Sequence, residues 1–523
     1  MPEEKVLIVP HTHWDREWYL PFEGYRQWLV GVVDRVLDMM ERGELEKFSL
    51  DGQSVVAEDY LEIRPERENE FTSMVKAGKL KIGPWYTQPD EWIPSGEALV
   101  RNLLYGIRAA KKYGGSSMVG YLPDTFGHVA TLPSILNGFG ISTFIFSRGV
   151  GDEGEGRKDE FIWKSPDGSS VLAVHLRYGY CNAVRLGLSG PSYSPHYIST
   201  PSNRAFALEA YYGSSFDQEA AIKKIAWLID NLRKNSAFKT YAFFNGCDHQ
   251  PAQDLREVLK LAEEKFPGVQ FSVGDLDEYV GNLRALPELQ EYSGELRGAR
   301  FNYLLSGVLS TRADVKQLNF EAENTLESYA EPLSAFAKAF GGNPRSLAYA
   351  WKLILKSHAH DSIYSSGVDE VNEQVAERLT RAREVAMGSA QFAFDFISSR
   401  ITPMEGETLI LVFNPTNSSR SDFVRVYLPH LKKGIYKASS GAEESGVLTE
   451  EVSNTEGLSA KDVAFEFLAK DVPAIGYKEY AISTSSSPSI KSESGTRVEN
   501  EYYAVSLGPD GSLTLLDKSS NRS

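Results

Sequence analysis

From residue 5 to about 275, short apolar runs alternate with amphipathic ones. The strand-like runs are KVLIV (5–9), KLKIG (79–83), MVGYL (118–122), TFIFS (143–147), VLAVHL (171–176) and YAFFN (241–245). Between them lie helical patterns. In YRQWLVGVVDRVLDMM, Trp28, Val32, Val36 and Met40 recur on one face, with Leu29, Val33 and Leu37 beside them. Strands alternating with helices predict a parallel sheet, either open or closed into a barrel. From about 285 to 400 the period is helical throughout. Leu326, Tyr329, Leu333, Phe336 and Phe340 step by three and four, with Pro332 predicting a kink or boundary. Leu347, Trp351, Ile354 and His358 share a second face, and SGVD (366–369) reads as a capping box opening the next helix. From about 405, TLILVFNPTNSSRSDFVRVYLP reads as strands around an Asn-Pro-Thr-Asn turn. STSSSPSIKSESG (483–495) reads as a linker or loop. The end, EYYAVSLGPDGSLTLLDKSSNRS, reads as strand, turn and strand, the opening of a further β-domain that stops short.

The expected architecture is therefore multidomain, α/β then α then β. An α/β catalytic domain spans 1–280, a helical bundle 281–402 and a truncated β-rich region 403–523. A chain of 523 residues accommodates three such domains. The net charge of −16 argues against nucleic acid or an anionic membrane as partner and suits a neutral, polar substrate. No apolar run is long enough to span a bilayer, and MPEEKVLIVP lacks the features of a secretory leader. Cys181 and Cys247 are the only cysteines, too few for a disulfide scaffold. These features predict a cytoplasmic protein; association with further copies of the chain is compatible with them.

The chemistry sits directly after the strands. HTHWD follows VLIVP, QPDEW follows KIGPWYT, DTFGH follows GYLP, SRG follows FIF, RYGY follows VHL, and CDHQ follows FFNG. Parallel α/β sheets bind ligands at the carboxyl ends of their strands, so these clusters should converge on one pocket. His13 and Asp15, two apart in extended chain, point to one side and can share a cation; HAHD (358–361) supplies further imidazole. Zn²⁺ accepts histidine nitrogen together with carboxylate oxygen. A lone histidine is more often a hydrogen-bonded structural residue, but here two His-rich motifs each adjoin an aspartate. Asp90, Asp124 and Asp248 are candidates for acid–base or nucleophilic work, since a retaining glycosidase needs two carboxyl groups about 5 Å apart. Each aspartate taken singly is more often a cap or turn residue than a catalyst. Asp248, after an apolar strand, is placed to have a raised pKa. Trp14, Trp18, Tyr86, Trp92, Phe126, Tyr178 and Tyr180 could stack on sugar faces or simply fill the core.

Taken together, the motifs resemble those of glycoside hydrolase family 38, the α-mannosidases. PHTHWDREW resembles the family's N-terminal metal motif and LPDTFGHVATLPSIL its nucleophile motif. FIWKSPDGSSVL resembles a further shared block, NGCDHQ the acid/base strand end, and HAHDSI the late metal motif. The first and fourth resemble bacterial and archaeal members, mannosylglycerate hydrolases among them, more than the animal enzymes. The resemblance implies a seven-stranded β/α barrel, a helical bundle and a C-terminal β-sandwich region. It implies one Zn²⁺ held at His13, Asp15, Asp124 and His360, with His360 contributed by the helical region. Asp124 would also be the nucleophile and Asp248 the acid/base. Trp18, Phe126, Arg148, Tyr180 and Asp361 would contact the sugar, and Asp90 and Glu91 would neighbour the pocket. The choice of Asp124 over Asp90 rests on the resemblance alone. One departure stands out: the animal enzymes carry paired acids where Cys247 precedes Asp248.

The expectation is a retaining, metal-dependent α-mannosidase acting on mannose-containing small molecules or oligosaccharides. Two rivals use the same residues. A zinc-dependent carbohydrate deacetylase would direct metal-activated water at an acyl carbon. A non-catalytic sugar-binding protein would use the aromatics as a platform.

Overall fold

The computed structural model describes residues 4–189, 214–283, 288–401, 408–428, 431, 434–451, 463–486 and 495–523. Most of the expected linker at 483–495 lies outside them. Two compact units form: Met1–Glu327 with Ser346–Gly388, and Ser328–Arg345 with Ser389–Ser523. Residues 281–402 are divided between the two.

The strands of the first unit are β1 (Glu4–Thr12), β2 (Phe48–Leu50), β3 (Leu80–Lys81), β4 (Gly120–Leu122) and β5 (Thr143–Phe146). They continue with β6 (Glu160–Lys164), β7 (Ser170–His175), β8 (Thr240–Asn245), β9 (Val269–Val273) and β10 (Glu291–Ser293). One sheet is parallel throughout. β1 pairs with β8 along Lys5–Pro10; its other edge takes β9 at Glu4–Ile8 and β2 at His11–Thr12, and β3 follows β2. The second sheet runs β10-β6-β7-β5-β4, with β6 antiparallel to β7. Among the described residues the ladders thus form two five-stranded sheets rather than one ring of seven.

The period-two alternation of the strands explains how these sheets pack. Val6, Ile8, Tyr241 and Phe243 face outward onto the helices Gln218–Asn235 and Arg256–Lys265, through Ile225, Leu228, Val258 and Ala262. The alternate residues Leu7, Val9, Ala242 and Phe244 share a core with Tyr121, Ile145 and Val174 of the second sheet. Leu122, Phe144 and Phe146 pack on the far side with Leu132 and Leu136 of the helix Leu132–Gly138. Burial on both faces is why these runs are continuously apolar. Each such side chain contributes about 1.5–3 kcal/mol.

The predicted strands at 5–9, 143–147, 171–176 and 241–245 are present; KLKIG and MVGYL shrink to Leu80–Lys81 and Gly120–Leu122. The sequence reading passed over FSL as β2, because three residues carry no readable period. The helix Phe22–Glu41 buries the predicted face. Pro332 marks a boundary: a π-helical turn, Thr325–Ala330, gives way to the helix Glu331–Ala339, whose first turn contains the proline. The capping box does not form as read. The long helix Asp369–Ser398 starts three residues after Ser366, whose hydroxyl instead donates to Asp361 Oδ1 at 2.6 Å.

The second unit contains β11 (Thr408–Asn414), β12 (Arg420–Leu428), β13 (Tyr436–Ser440), β14 (Glu443–Glu451), β15 (Val463–Val472) and β16 (Gly476–Thr484). They form an antiparallel sheet in the order β11-β16-β13-β14-β15-β12 over a core that includes Ala438, Phe465, Phe467 and Tyr480. β17 (Arg497–Glu499), β18 (Tyr503–Leu507) and β19 (Leu513–Asp517) make a three-stranded meander that contains the predicted final hairpin. Among the described residues no helix is long and apolar enough to cross a membrane.

Candidate active site

All the residues that matter below belong to the first unit. The carboxyl ends of β1, β2, β4, β5, β7 and β8 deliver His13, Asp51, Asp124, Arg148, Tyr180 and Asp248. Gly246 lets two of these ends approach, since a Cβ there would lie 1.9 Å from the His11 carbonyl oxygen. His13 N then donates to Cys247 O at 3.1 Å, and His249 N to His13 O at 2.8 Å. The helical region adds the last part. The helix Ala348–Ser357 ends before His358, and Ala359 turns to extended backbone and bridges Pro89. His360 N donates to Gln88 O at 2.9 Å, which fixes the turn carrying His360 and Asp361.

Three ligand-type atoms converge. His13 Nε2 lies 3.0 Å from Asp15 Oδ1, and His360 Nε2 lies 3.4 Å from the same oxygen. All three atoms are buried without a hydrogen-bond partner. Their mutual distances are within 4.8 Å. Buried polar atoms left unbonded are costly, and a shared cation would satisfy all three. His13, Asp15 and His360 can therefore hold a metal ion. Asp124 Oδ2 joins this cluster 3.5 Å from His360 Nε2. The charges agree. Burial opposes protonation of His13, but Asp51 and Asp15 outweigh it and hold its pKa well above the ordinary value. Against burial, Asp361, Asp124 and Asp15 push His360 up to about 9. The pocket demands positive charge, which a divalent cation supplies on displacing those protons.

Two aspartates are driven apart in acidity. Burial alone would raise Asp124, yet Arg148, with help from His360 and His13, holds it down at about 2. The Arg148 guanidinium grips Asp124 Oδ1 through Nε at 2.7 Å and a terminal nitrogen at 2.6 Å. Asp248 goes the other way: burial, together with the charges of Asp15 and Asp124, raises it to about 6 despite His13. Tyr180 Oη donates to Asp248 Oδ1 at 2.9 Å. Neighbouring carboxyl groups with opposite shifts suit opposite roles, one an anion and one a proton donor.

The remaining expected residues are placed as follows. Phe126 stacks on Tyr364 at 4.9 Å, meets His360 edge-on at 5.7 Å and lies under Arg148. Asp361 is buried, and that burial, with the charge of Asp15, lifts its pKa to about 7. Trp18 is half-buried; its carbonyl accepts from Val368 N, and its ring packs on Tyr19. Asp90 and Glu91 lie beside this cluster, with Asp90 N donating to His358 O at 2.9 Å, and other groups take up their carboxylates. Asp90 accepts from the amides of Trp92 (3.1 Å) and Ile93 (2.7 Å), and Glu91 bonds His128 Nδ1 (2.6 Å) and Val129 N (2.9 Å).

Asp51 escaped the sequence reading. Its Oδ2 lies 2.9 Å from His13 Nδ1 and accepts from Trp14 N at 2.9 Å and Gln53 Nε2 at 3.0 Å. Its φ of 56° places it in the left-handed region, a strained position of the kind found at functional sites. It follows β2, so the strand-end rule would have found it had FSL been read as a strand. A carboxylate on Nδ1 turns Nε2 toward the metal cluster. Asp51→Asn is expected to weaken metal retention by about 10–100-fold, read by competition with a chelating dye.

Residues 3–295 match the "Glycosyl hydrolases family 38 N-terminal domain", and residues 303–397 the "Alpha mannosidase middle domain". The chain belongs to glycosyl hydrolase family 38. Among curated family 38 relatives, it is 34% identical over 402 residues to the "Putative mannosylglycerate hydrolase" of Halalkalibacterium halodurans, an alignment covering 74% of this chain and 41% of that one. It is 27% identical over 387 residues to human "Alpha-mannosidase 2C1", covering 71% and 33%. The chain thus spans less than half the length of these relatives. Among solved structures, an α-mannosidase from Enterococcus faecalis V583 superposes with a TM-score of 0.82 at 28% identity. That superposition covers 99% of this chain and 61% of the other.

Proposed function

We propose that this chain carries the centre of a retaining, metal-dependent α-mannosidase. The observation that carries the reading is the meeting of Asp124 with the His13–Asp15–His360 cluster, within the charge field of a raised-pKa Asp248. The mixed imidazole–carboxylate set suits Zn²⁺, with Asp124 as fourth ligand. When bound, the ion would neutralise carboxylate charge and orient sugar hydroxyls.

This chain's residues then divide the work. Arg148 holds Asp124 ionised and aimed. The Asp124 carboxylate attacks the anomeric carbon from the face opposite the leaving group, forming a glycosyl ester. Asp248 gives its proton to the departing oxygen, so the leaving group departs neutral. It then takes a proton from water, whose oxygen displaces Asp124 and restores the α-configuration. Phe126 presents an apolar face, Asp361 an acceptor for sugar hydroxyls, and Trp18 a half-buried ring to stack on the sugar.

The test supplies Zn²⁺-loaded protein with α-linked mannobioses and mannosylglycerate and follows the products by NMR. Free α-mannose appearing first is expected. β-Mannose appearing first would overturn the retaining mechanism. Acetate release from acetylated sugars without mannose would establish the deacetylase instead. Dialysis against a chelator is expected to reduce turnover by at least about 100-fold, with Zn²⁺ restoring it and Mg²⁺ not.

A further inference from the structure

The cysteines, too few for a scaffold, are joined to each other in the structure. Their positions are specific: Cys181 directly follows Tyr180, and Cys247 directly precedes Asp248. The Cα atoms stand 4.9 Å apart although 66 positions separate them in sequence. The bond thus ties the two residues that share the Tyr180–Asp248 hydrogen bond. Both of its ends are also held by other bonds. Cys247 belongs to a segment laced to β1, through His13 N to Cys247 O and His249 N to His13 O. The Tyr180 segment, residues 176–189, contains no helix or strand. It is laced to β1 and β8 instead: His11 Nε2 with Tyr180 O at 2.9 Å, Ala183 N to Phe244 O at 3.0 Å, Phe244 N to Asn182 Oδ1 at 2.8 Å, and Asn245 Nδ2 to Ala183 O at 2.8 Å. Cys247 Sγ is itself 4.0 Å from Asp248 Oδ1. Both cysteines are half-buried, within reach of a small reductant.

We propose that the Cys181–Cys247 disulfide is a positioning element for the proton-transfer pair, and that its reduction uncouples Tyr180 from Asp248 and slows cleavage of substrates with poor leaving groups. The inference rests on the reading of Asp248 as proton donor. These bonds keep the segment folded after reduction, so the effect is a loosening. A loss of about 10-fold by misalignment is well inside the roughly 10²–10⁴-fold that a positioned proton donor contributes. A water-soluble phosphine balances the step: it attacks one sulfur, the S–S bond breaks, and phosphorus is oxidised by two electrons. Water supplies the oxygen of the phosphine oxide and the two protons of the thiols. The phosphine is preferred to a dithiol, which would compete for the metal.

The experiment compares oxidised and phosphine-reduced full chain, Zn²⁺-loaded, with free thiols counted in each state. On α-mannobiose, reduction is expected to lower kcat about 10-fold with KM unchanged. On 4-nitrophenyl α-mannoside, whose leaving group needs little protonation, the change is expected to stay under about twofold. Re-oxidation should restore the first rate. Cys181→Ser and Cys247→Ser should each reproduce the reduced profile and no longer respond to phosphine. Equal losses on both substrates, no loss on either, or a response persisting in the serine variants would each overturn the proposal. Amide hydrogen exchange over residues 178–183 gives a second readout that needs no turnover. Faster exchange on reduction is expected, and no change overturns the positioning role. If neither state cleaves either mannoside, the exchange comparison still decides that role, while the α-mannosidase reading falls on its own.

Discussion

Asp124→Asn is expected to lower kcat/KM on an aryl α-mannoside by about 10⁴-fold or more, roughly 5.5 kcal/mol of transition-state stabilisation. The amide is nearly isosteric, so the pocket should survive, but it carries no charge for Arg148 to hold and cannot form a stable glycosyl ester. A change this large requires the group that forms the covalent bond; loss of one ion-pair partner alone would cost far less. Because Asp124 also approaches His360, zinc content must be read alongside rate. A fluorinated mannoside that accumulates the intermediate should add one sugar to the peptide containing Asp124 in the native chain and none in the variant. Near-normal turnover by a zinc-loaded Asp124→Asn protein would end the assignment.

Asp248→Ala is expected to separate substrates by their leaving groups. Alkyl and sugar aglycones should lose about 10²–10⁴-fold in kcat, the contribution of a positioned proton donor, whereas a nitrophenyl aglycone should lose far less. The pH profile follows from the direction of the shift. Burial, with the charges of Asp15 and Asp124, raises Asp248 to about 6. A proton donor works only while protonated, so kcat/KM on an unactivated mannoside should fall as pH rises through about 6. Asp124, held at about 2, stays ionised across that range and adds no limb of its own there. Asp248→Asn should remove the falling limb along with most of the rate. A limb that persists in this variant would belong to another group, with Asp361, raised to about 7, the first to examine.

Much of the candidate site was legible from local order. Parallel strands buried on both faces read as apolar runs, and in such sheets the residues after each run face the ligand edge. HTHWD, DTFGH, SRG, RYGY and CDHQ therefore carried their chemistry on their position. His360 was less accessible to that rule, because its place depends on the turn at Ala359 and a bond to Gln88 contributed from far along the chain. Asp90 and Asp124 were equivalent as letters. Packing separates them, since two amides take up the Asp90 carboxylate while Arg148 and His360 meet that of Asp124.

What the sequence determined by itself was the alternation of elements, the strand-end chemistry and, through motif order, the family. Those follow from short-range periodicity and from residue types that only certain reactions require. The tertiary structure alone decided which distant groups share a charge environment. Asp51 behind His13, the opposite shifts of Asp124 and Asp248, and the joining of Cys181 to Cys247 all arise between segments far apart in the chain. Burial and Coulomb energy depend on distances in space, and no local pattern of residues encodes those.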